Sequence, residues 1–166
     1  MFFYGNGDRF RQEWMETLIA EPSHELGDVD FVVAGTGYSA SLGRARLVGD
    51  VPFNDYRRMV SASRLSLSIT RRAHASVYAS STCRIFELAA CGAAIVSSPH
   101  AGMERWFEPG AEIAIVSTVD QACETYRGLL SDPSAAEAMG RRARERVLAE
   151  HTYTHRAQRL LELLGI

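Results

Sequence analysis

The sequence predicts a doubly wound α/β domain, in which helices cover both faces of a parallel β-sheet. Short apolar runs alternate with amphipathic helical segments along most of the 166 residues, as in chains built from successive βαβ units. Several of these runs are apolar throughout, which is typical of parallel strands buried on both faces. This length favours one domain spanning residues 1–166.

Six strands and seven helical segments follow from these patterns. The predicted strands are 1–5, 29–35, 45–51, 64–70, 93–98 and 111–117. The predicted helical segments are 8–21, 54–63, 81–91, 101–107, 119–132, 132–150 and 152–164, of which the last ones are additional C-terminal helices. Asp8, Asn54 and Asp132 are the expected N-caps, and Pro133 suits the first position of a helix.

Composition and charge restrict the classes of partner. A formal net charge of −2 gives no reason to expect nucleic acid or an anionic membrane. All 18 basic residues are arginine, which a GC-rich genome produces and which also suits phosphate recognition. Cys83, Cys91 and Cys123 form no C-x-x-C pair, so we expect no disulfide framework, no zinc site and a reducing cytoplasmic location. No segment approaches the roughly 20 apolar residues that a membrane span requires.

In a doubly wound sheet, ligands bind beyond the carboxyl ends of the strands. Here those ends are GNGD, GTGYS, GDVP, TRRAHAS and SSPHAG, the last of which contains His100, a candidate ligand contact. GNG and GTG do not complete G-x-G-x-x-G, because Phe10 and Ala40 occupy the positions of the third glycine. NAD binding is therefore disfavoured. The absence of lysine excludes a P-loop, and the absence of G-x-S-x-G disfavours an α/β-hydrolase.

Two other polar patterns have structural explanations. His151 and His155 are four residues apart but lack an H-E-x-x-H motif, so we expect solvent-facing or capping histidines rather than metal ligands. The basic run RRARER at 141–146 has glutamates four residues from its arginines. It is predicted to be a solvated helix face with ion pairs.

The start of the predicted helix 81–91 suits an anion. The hydroxyls of Ser80, Ser81 and Thr82 can cap this helix, and its free amides and positive dipole end attract phosphate. Arg84, one turn into the helix, could make a forked contact with the same oxygens. The small residues 89–92 let the helix pack closely on the sheet.

Glu87 has two interpretations. Its carboxylate could accept hydrogen bonds from a pair of vicinal ribose hydroxyls. Alternatively it forms an intrahelical ion pair with Arg84 at i, i+3, a pair worth about 0.2–0.5 kcal/mol. The chemistry of the residues alone leaves both open.

A longer pattern surrounds these two residues. Residues 83–116 contain R-x-F-E-x-x-A-C-G, then a strand, a turn and F-x-x-G-x-E, and residues 151–156 contain H-T-Y-x-x-R. This pattern resembles the C-terminal donor-binding domain of GT-B glycosyltransferases (glycosyl transferases group 1), and most closely the CgeB-like, spore-maturation type. Residues 47–69 resemble the stretch before the fourth strand of the same family. The resemblance implies a Rossmann-like half of a GT-B fold, with the N-terminal acceptor domain absent from this chain.

The resemblance also implies roles for individual residues. Glu87 would hold the ribose of a nucleotide-sugar, Arg84 and the helix start its diphosphate, and the backbone around Val51 and Pro52 would meet the base. The full set of candidate substrate-binding residues is Val51, Pro52, Arg71, Arg72, Ser81, Thr82, Cys83, Arg84, Glu87, His100 and Gly102.

The chain departs from the family pattern at two places. Many retaining relatives carry E-x7-E, whose first glutamate would fall at Ala79. The lysine that commonly assists the diphosphate is missing, and Arg9, Arg71 or Arg72 could substitute for it.

The resemblance implies a hexosyltransferase-type enzyme that moves a sugar from a nucleoside-diphosphate sugar to an unknown acceptor. We expect it to need no metal or other cofactor, and to be inactive without a partner acceptor domain or chain. A homo-oligomer is compatible with the sequence. Two alternatives are a non-catalytic interaction module that keeps the fold and a nucleotide-sugar epimerase-like protein.

Overall fold

Six parallel strands form one sheet in the order β3-β2-β1-β4-β5-β6. The structure is a computed structural model that describes residues 1–80 and 82–166. The strands are β1 (Phe2–Tyr4), β2 (Val32–Ala34), β3 (Arg46–Leu47), β4 (Ser66–Ser68), β5 (Ile95–Ser97) and β6 (Ala114–Ile115). The predicted α/β, Rossmann-like fold is confirmed, although each strand is shorter than its apolar run.

Helices connect the strands and extend the C-terminus. They are α1 (Gln12–Met15), a π-helical turn (Glu16–Ala20), α2 (Glu21–Glu25), α3 (Phe53–Ala62), α4 (Arg72–Ala75), α5 (Cys83–Ala90), a 3₁₀ turn (Met103–Arg105), α6 (Val119–Ser131), α7 (Pro133–Glu150) and α8 (Tyr153–Leu164). The predicted additional C-terminal helices are α7 and α8. No helix in the described part of the chain is long and apolar enough to cross a membrane.

Of the three predicted N-caps, only Asp132 is confirmed. Its carboxylate accepts a hydrogen bond from the Ala135 amide at 3.0 Å, and Pro133 is the first residue of α7. Asp8 is not an N-cap, because it accepts from the Phe10 amide in the turn that precedes α1. Asn54 is not one either, because α3 begins at Phe53, after the N-cap residue Pro52, and Asn54 lies within the helix.

The two faces of the sheet bury separate apolar cores. Successive side chains of a strand point to opposite faces, so Phe3 belongs to a core with α1, the π-helical turn and α6, whereas Phe2 belongs to a core with α3, α5 and α7. The first core includes Leu18, Ile19, Phe31, Leu67 and Tyr126, and the second includes Val60, Leu88, Ile95, Met103 and Val147.

Arginines of α7 hold this helix against neighbouring segments. Arg142 donates to the carbonyl oxygen of Ala111 at 2.8 Å, and Arg144 donates to that of Ala90 at 3.0 Å. Arg146 forms a 2.6 Å ion pair with the buried Glu112, besides a 3.5 Å contact to Glu150 on its own helix. The interpretation of RRARER as a solvated face with ion pairs is confirmed in part, because Arg141, Arg142 and Arg144 are exposed and Arg146 pairs with Glu150. It missed that three of these arginines also bind other segments.

Candidate functional site

A cavity of about 330 Å³ opens at the carboxyl ends of β1 and β4. The chain winds from β1 outward to β3, then returns to the other side of β1 and winds from β4 outward to β6. The gap between β1 and β4 is thus the topological switch point, where ligands of doubly wound sheets bind. Its lining residues are Phe3, Tyr4, Gly5, Asn6, Arg11, Ser68, Ile69, Arg71, Thr82 and Arg84.

Two arginines of this cavity are fixed by the backbone and by Asp8. Arg11 donates from Nε to the carbonyl oxygen of Ile69 at 3.0 Å and from a terminal nitrogen to that of Asn6 at 2.9 Å. Arg71 forms a 2.7 Å ion pair with Asp8, which also lies 3.8 Å from Arg11. Burial lowers the pKa of Arg11, but a guanidinium stays charged in proteins. One carboxylate therefore faces two guanidinium groups, and the site keeps excess positive charge for an anion.

The third arginine of the cavity, Arg84, lies against two tyrosine rings. Its guanidinium carbon is 4.5 Å from the ring centroid of Tyr4 and 4.5 Å from that of Tyr56. Such contacts favour the cation and orient its plane. Burial raises the pKa of Tyr56 to about 12, against the lowering effect of Arg84, so both rings stay neutral at physiological pH. The tyrosines thus hold the Arg84 side chain at the edge of the cavity.

Glu87 is paired with Arg84 in this structure. The Arg84 guanidinium donates to Glu87 Oε2 at 2.7 Å, so the intrahelical ion pair is present. The Glu87 side chain is 40% exposed, and a carboxylate offers about four acceptor positions. The pair therefore leaves acceptor capacity for a further donor, such as a ligand hydroxyl.

The start of α5 differs in part from the sequence prediction. Thr82 is the N-cap residue, but its hydroxyl makes no capping hydrogen bond, so the predicted capping by its side chain is wrong. Ser81 lies outside the described residues. Ser80 precedes the helix in a turn, where its amide donates to the Val77 carbonyl at 3.0 Å. Thr82 still lines the cavity beside Arg84.

Comparison with known proteins places the chain in a family. Residues 11–162 match the family described as glycosyl transferase-like. The chain belongs to this glycosyl transferase-like family. None of the curated proteins is a match for the sequence.

Solved structures share the fold at low sequence identity. HepE from Anabaena in complex with UDP matches 99% of this chain and 48% of its own, with 15% identity and a TM-score of 0.78. Sucrose-phosphate synthase from Thermosynechococcus elongatus matches 99% of this chain and 44% of its own, with 18% identity and a TM-score of 0.75. T4 phage BGT in complex with its UDP-glucose substrate matches 89% and 43%, with 13% identity and a TM-score of 0.73. The chain therefore spans about half the length of these GT-B glycosyltransferases.

The other candidate residues of this glycosyl transferase-like domain lie outside the cavity, with the exception of Arg71. Arg72 is exposed, pairs with Glu13 at 3.4 Å and does not line the cavity, in contrast to its neighbour Arg71. Val51 is buried and Pro52 is the exposed N-cap of α3, and neither lines the cavity. Cys83, the exposed first residue of α5, lies on a different surface of that helix.

His100 and Gly102 lie in the loop after β5. His100 is buried, and within the described part of the chain its Nε2 has no hydrogen-bond partner. Burial lowers the pKa of His100, so the ring is neutral at pH 7. Gly102 has φ +81°, and a Cβ there would overlap the amide nitrogen of Ala79. Ala79 itself has a left-handed φ of 54°, so the two loops meet at a tight contact beside α5.

The two G-x-G segments have a structural role. Tyr38 donates from its hydroxyl to the carbonyl oxygen of Gly5 at 2.6 Å, and a Cβ on Gly35 would overlap that same oxygen. The Gly7 amide donates to the Thr36 carbonyl at 2.9 Å. The glycines thus allow the loops after β1 and β2 to pack against each other.

An apolar groove of about 370 Å³ lies on the other side of Glu87, between α5, α7 and α8. Its lining includes Phe86, Val147, Leu148 and Tyr153. No residue of α8, all of which the structure describes, is buried. The helix exposes Leu160, Leu161, Leu163 and Leu164, followed by Ile166. Among the described residues, no three His, Cys, Asp or Glu side chains are grouped as a metal site would require.

Sequence reasoning missed the most constrained arginine of the site. Of the three candidates for the missing lysine, Arg71 lines the cavity whereas Arg72 does not. The third, Arg9, has its guanidinium 4.8 Å from the centroid of the Phe10 ring and does not line the cavity either. Arg11 lines it instead. The signal was present in the basic DRFR segment after the first strand. The hydrogen bonds of Arg11 to the carbonyl oxygens of Ile69 and Asn6, which the sequence does not display, distinguish it from Arg9.

Proposed function

We propose that this domain binds a nucleoside-diphosphate sugar, with a UDP-sugar as the first choice, in the cavity between β1 and β4. The observation that carries the proposal is the placement of Arg11, Arg71 and Arg84 around a cavity at the switch point. A diphosphate is the ligand group whose charge and oxygen geometry best match several guanidinium groups. The neighbours HepE and T4 phage BGT in complex with UDP or UDP-glucose support the choice of uridine.

Within this proposal, each part of the donor has a partner. The diphosphate binds the three arginines and the start of α5, beside Thr82. The ribose hydroxyls bind the Glu87 carboxylate, whose exposed side chain has acceptor capacity left. The base lies toward the backbone of Val51 and Pro52. His100 and Gly102, on the loop after β5, lie toward the sugar.

The proposed reaction is hexosyl transfer from this donor to an acceptor. The leaving nucleoside diphosphate gains negative charge as the glycosidic bond breaks, and preorganised guanidinium groups stabilise that charge. We propose that the arginines do this without a metal ion. Within the family, the CgeB-like type fits best, because its motif residues Phe86, Phe107 and His151 contact one another.

We further propose that the donor domain acts together with an acceptor-binding domain, on this or another chain. GT-B neighbours are about twice as long as this chain, and α8 presents a row of exposed leucines that suits an apolar partner surface. Without that domain we expect donor binding but no turnover. The cytoplasmic location predicted from the cysteines stays a prediction.

A non-catalytic interaction module is the second candidate. Two observations favour it: Ala79 stands where many retaining relatives carry a glutamate, and Arg84 already occupies one oxygen of Glu87 at 2.7 Å. A module of this kind would keep the fold and bind no donor.

Adjacent arginines provide a matched test of donor binding. Isothermal titration of UDP and UDP-glucose is carried out on the wild type, Arg71→Gln and Arg72→Gln. Arg71 lines the cavity and Arg72 does not, so we expect Arg71→Gln to raise the UDP Kd about tenfold or more, as for a lost charge-assisted hydrogen bond. Arg72→Gln should leave it within about twofold.

Absence of binding to the wild type, together with no response to guanosine, thymidine or adenosine diphosphates, would favour the non-catalytic module. Equal loss of affinity in both variants would place the ligand outside the cavity. Urea unfolding of both variants separates a loss of affinity from a loss of fold, since Arg71→Gln also removes the ion pair with Asp8.

A further inference from the structure

An aromatic cluster lies between the candidate donor site and α8. It consists of Phe86, Trp106, Phe107 and His151, with Arg156 of α8 beside it, and we refer to it as the Trp106 cluster. The ring centroids of Trp106 and His151 are 5.5 Å apart, and those of Trp106 and Phe86 are 5.6 Å apart. Phe86 directly precedes Glu87 in α5, so the cluster contacts the donor-site helix itself.

The cluster also holds the loop that leads into α5. The Trp106 indole N–H donates to the carbonyl oxygen of Ala79 at 3.2 Å. The Ala79 amide in turn donates to the carbonyl of Ala101 at 2.7 Å. Because both bonds end on the segment 101–106, this segment fixes Ala79 in its left-handed conformation. The conformation of Ala79 sets the direction in which the chain approaches the start of α5.

His151 and Arg156 connect α8 to the indole. His151 donates from Nε2 to the Trp106 carbonyl at 3.2 Å and accepts from Arg156 at Nδ1, 2.8 Å away. The Arg156 guanidinium lies 5.3 Å from the centroid of the Trp106 ring. Arg156 therefore contacts both rings at once, and it does so from a helix that otherwise exposes its apolar side chains.

We infer that Trp106 and Arg156 are positioning residues that couple the placement of α8 to the geometry of the donor site. When a partner surface covers the exposed leucines of α8, the helix is fixed through Arg156 against the indole. The indole then holds Ala79, and Phe86 holds the helix turn that carries Glu87. The consequence for donor affinity rests on the proposed function, whereas the coupling itself does not.

The coupling is measured by NMR as hydrogen exchange of the Ala79 amide. Trp106→Phe keeps an aromatic ring but removes the hydrogen bond to the Ala79 carbonyl oxygen. Because this bond helps to hold the Ala79 amide on the Ala101 carbonyl, we expect exchange of that amide to be about fivefold faster, as for the loss of one neutral hydrogen bond. Arg156→Gln should also speed this exchange. Arg156→Gln should also shift the indole N–H resonance of Trp106. This resonance is assigned with Trp14→Phe, which removes the signal of the other tryptophan. A structural defect elsewhere would not move these two signals together.

Arg159→Gln is the matched control, because Arg159 lies on the same helix and pairs only with Glu162, at 2.9 Å, among its described neighbours. It should leave both signals unchanged. If Arg156→Gln does not fold, Arg156→Lys replaces it. Lysine keeps a donor for His151 but loses the planar contact with the indole, so the indole resonance should still shift.

Two outcomes separate this inference from the proposed function. If the Ala79 exchange rate and the Trp106 indole resonance are the same in the wild type and in the Arg156 variant, the coupling is overturned, whether or not UDP binds. If the wild type binds no UDP while exchange still responds to Arg156→Gln, the coupling stands and the proposed function fails. If the coupling and the proposed function both hold, Trp106→Phe raises the UDP Kd by about the same factor by which it speeds exchange of the Ala79 amide. Arg159→Gln then binds UDP as the wild type does.

Discussion

Substitution of Gly140 tests the packing that positions α5, the helix of the candidate donor site. Gly140 lies where α7 crosses Gly92, at the end of α5, and a Cβ there would overlap the Gly92 carbonyl oxygen. That Cβ would also lie 2.9 Å from the Gly92 carbonyl carbon and 3.0 Å from that of Ala93, whereas ordinary contacts lie at 3.4–4 Å. Overpacking of this kind costs about 1–3 kcal/mol, and alanine returns about 1 kcal/mol in helix propensity. Because backbone atoms cannot rotate away, we take the upper cost and expect Gly140→Ala to lower the free energy of unfolding by about 2 kcal/mol.

Urea unfolding measures this change, and Gly128→Ala is its control. Gly128 lies within α6, and a Cβ there would meet no atom within 4 Å. The same substitution should therefore stabilise the domain by about 1 kcal/mol, through helix propensity alone. If Gly140→Ala is as stable as the wild type while Gly128→Ala gains stability as expected, the close contact between α7 and α5 is wrong.

Three further predictions concern stability. Ala79→Gly should raise the free energy of unfolding by about 0.5–1 kcal/mol, since glycine removes the cost of a left-handed conformation and loses part of the gain as backbone entropy; equal urea midpoints would contradict it. Burial lowers the pKa of His100 and of His151, so the unfolded chain takes up protons first as the pH falls. The free energy of unfolding should be level above about pH 6.5 and decrease below it, and a profile that stays level to about pH 5.5 would refute this. Tyr126→Phe removes a buried hydroxyl that donates to the Leu18 carbonyl at 2.9 Å, which should cost about 1–2 kcal/mol; an unchanged Tm would show that the bond does not contribute.

The sheet could be predicted because its signal is local. Each buried parallel strand is a short apolar run, and each run is followed by a turn and a helical period, so class and element order follow from the sequence. The ends of elements depend on contacts that the sequence does not display. Asp8 looks like a helix cap, but its carboxylate binds Arg71, which lies in a different strand–helix connection. The first helix therefore begins only at Gln12.

The candidate site could likewise be predicted where its contacts are local in sequence and not where they are distant. Arg84 and Glu87 are one helical turn apart, so both the ion pair and the ligand role could be weighed from spacing alone. The position of Arg11 depends on the Ile69 carbonyl, which it reaches across the sheet. The predicted capping role of His151 and His155 is confirmed, because His151 is the C-cap residue of α7 and His155 belongs to the capping box of α8. The sequence did not predict that His151 also packs against Trp106, which is distant in sequence. Spacing within one helix cannot reveal such a partner.

The central claim is that a nucleoside diphosphate binds with its ribose on Glu87. Isothermal titration of UDP and 2′-deoxy-UDP against the wild type and Glu87→Gln tests it most directly, because only the ribose hydroxyl differs between the ligands. We predict that the wild type binds UDP about tenfold or more tightly than the deoxy ligand, as for a hydrogen bond to a charged acceptor, and that Glu87→Gln loses most of this preference. Equal affinities of the wild type for the two ligands, or a preference that survives in Glu87→Gln, would contradict the claim.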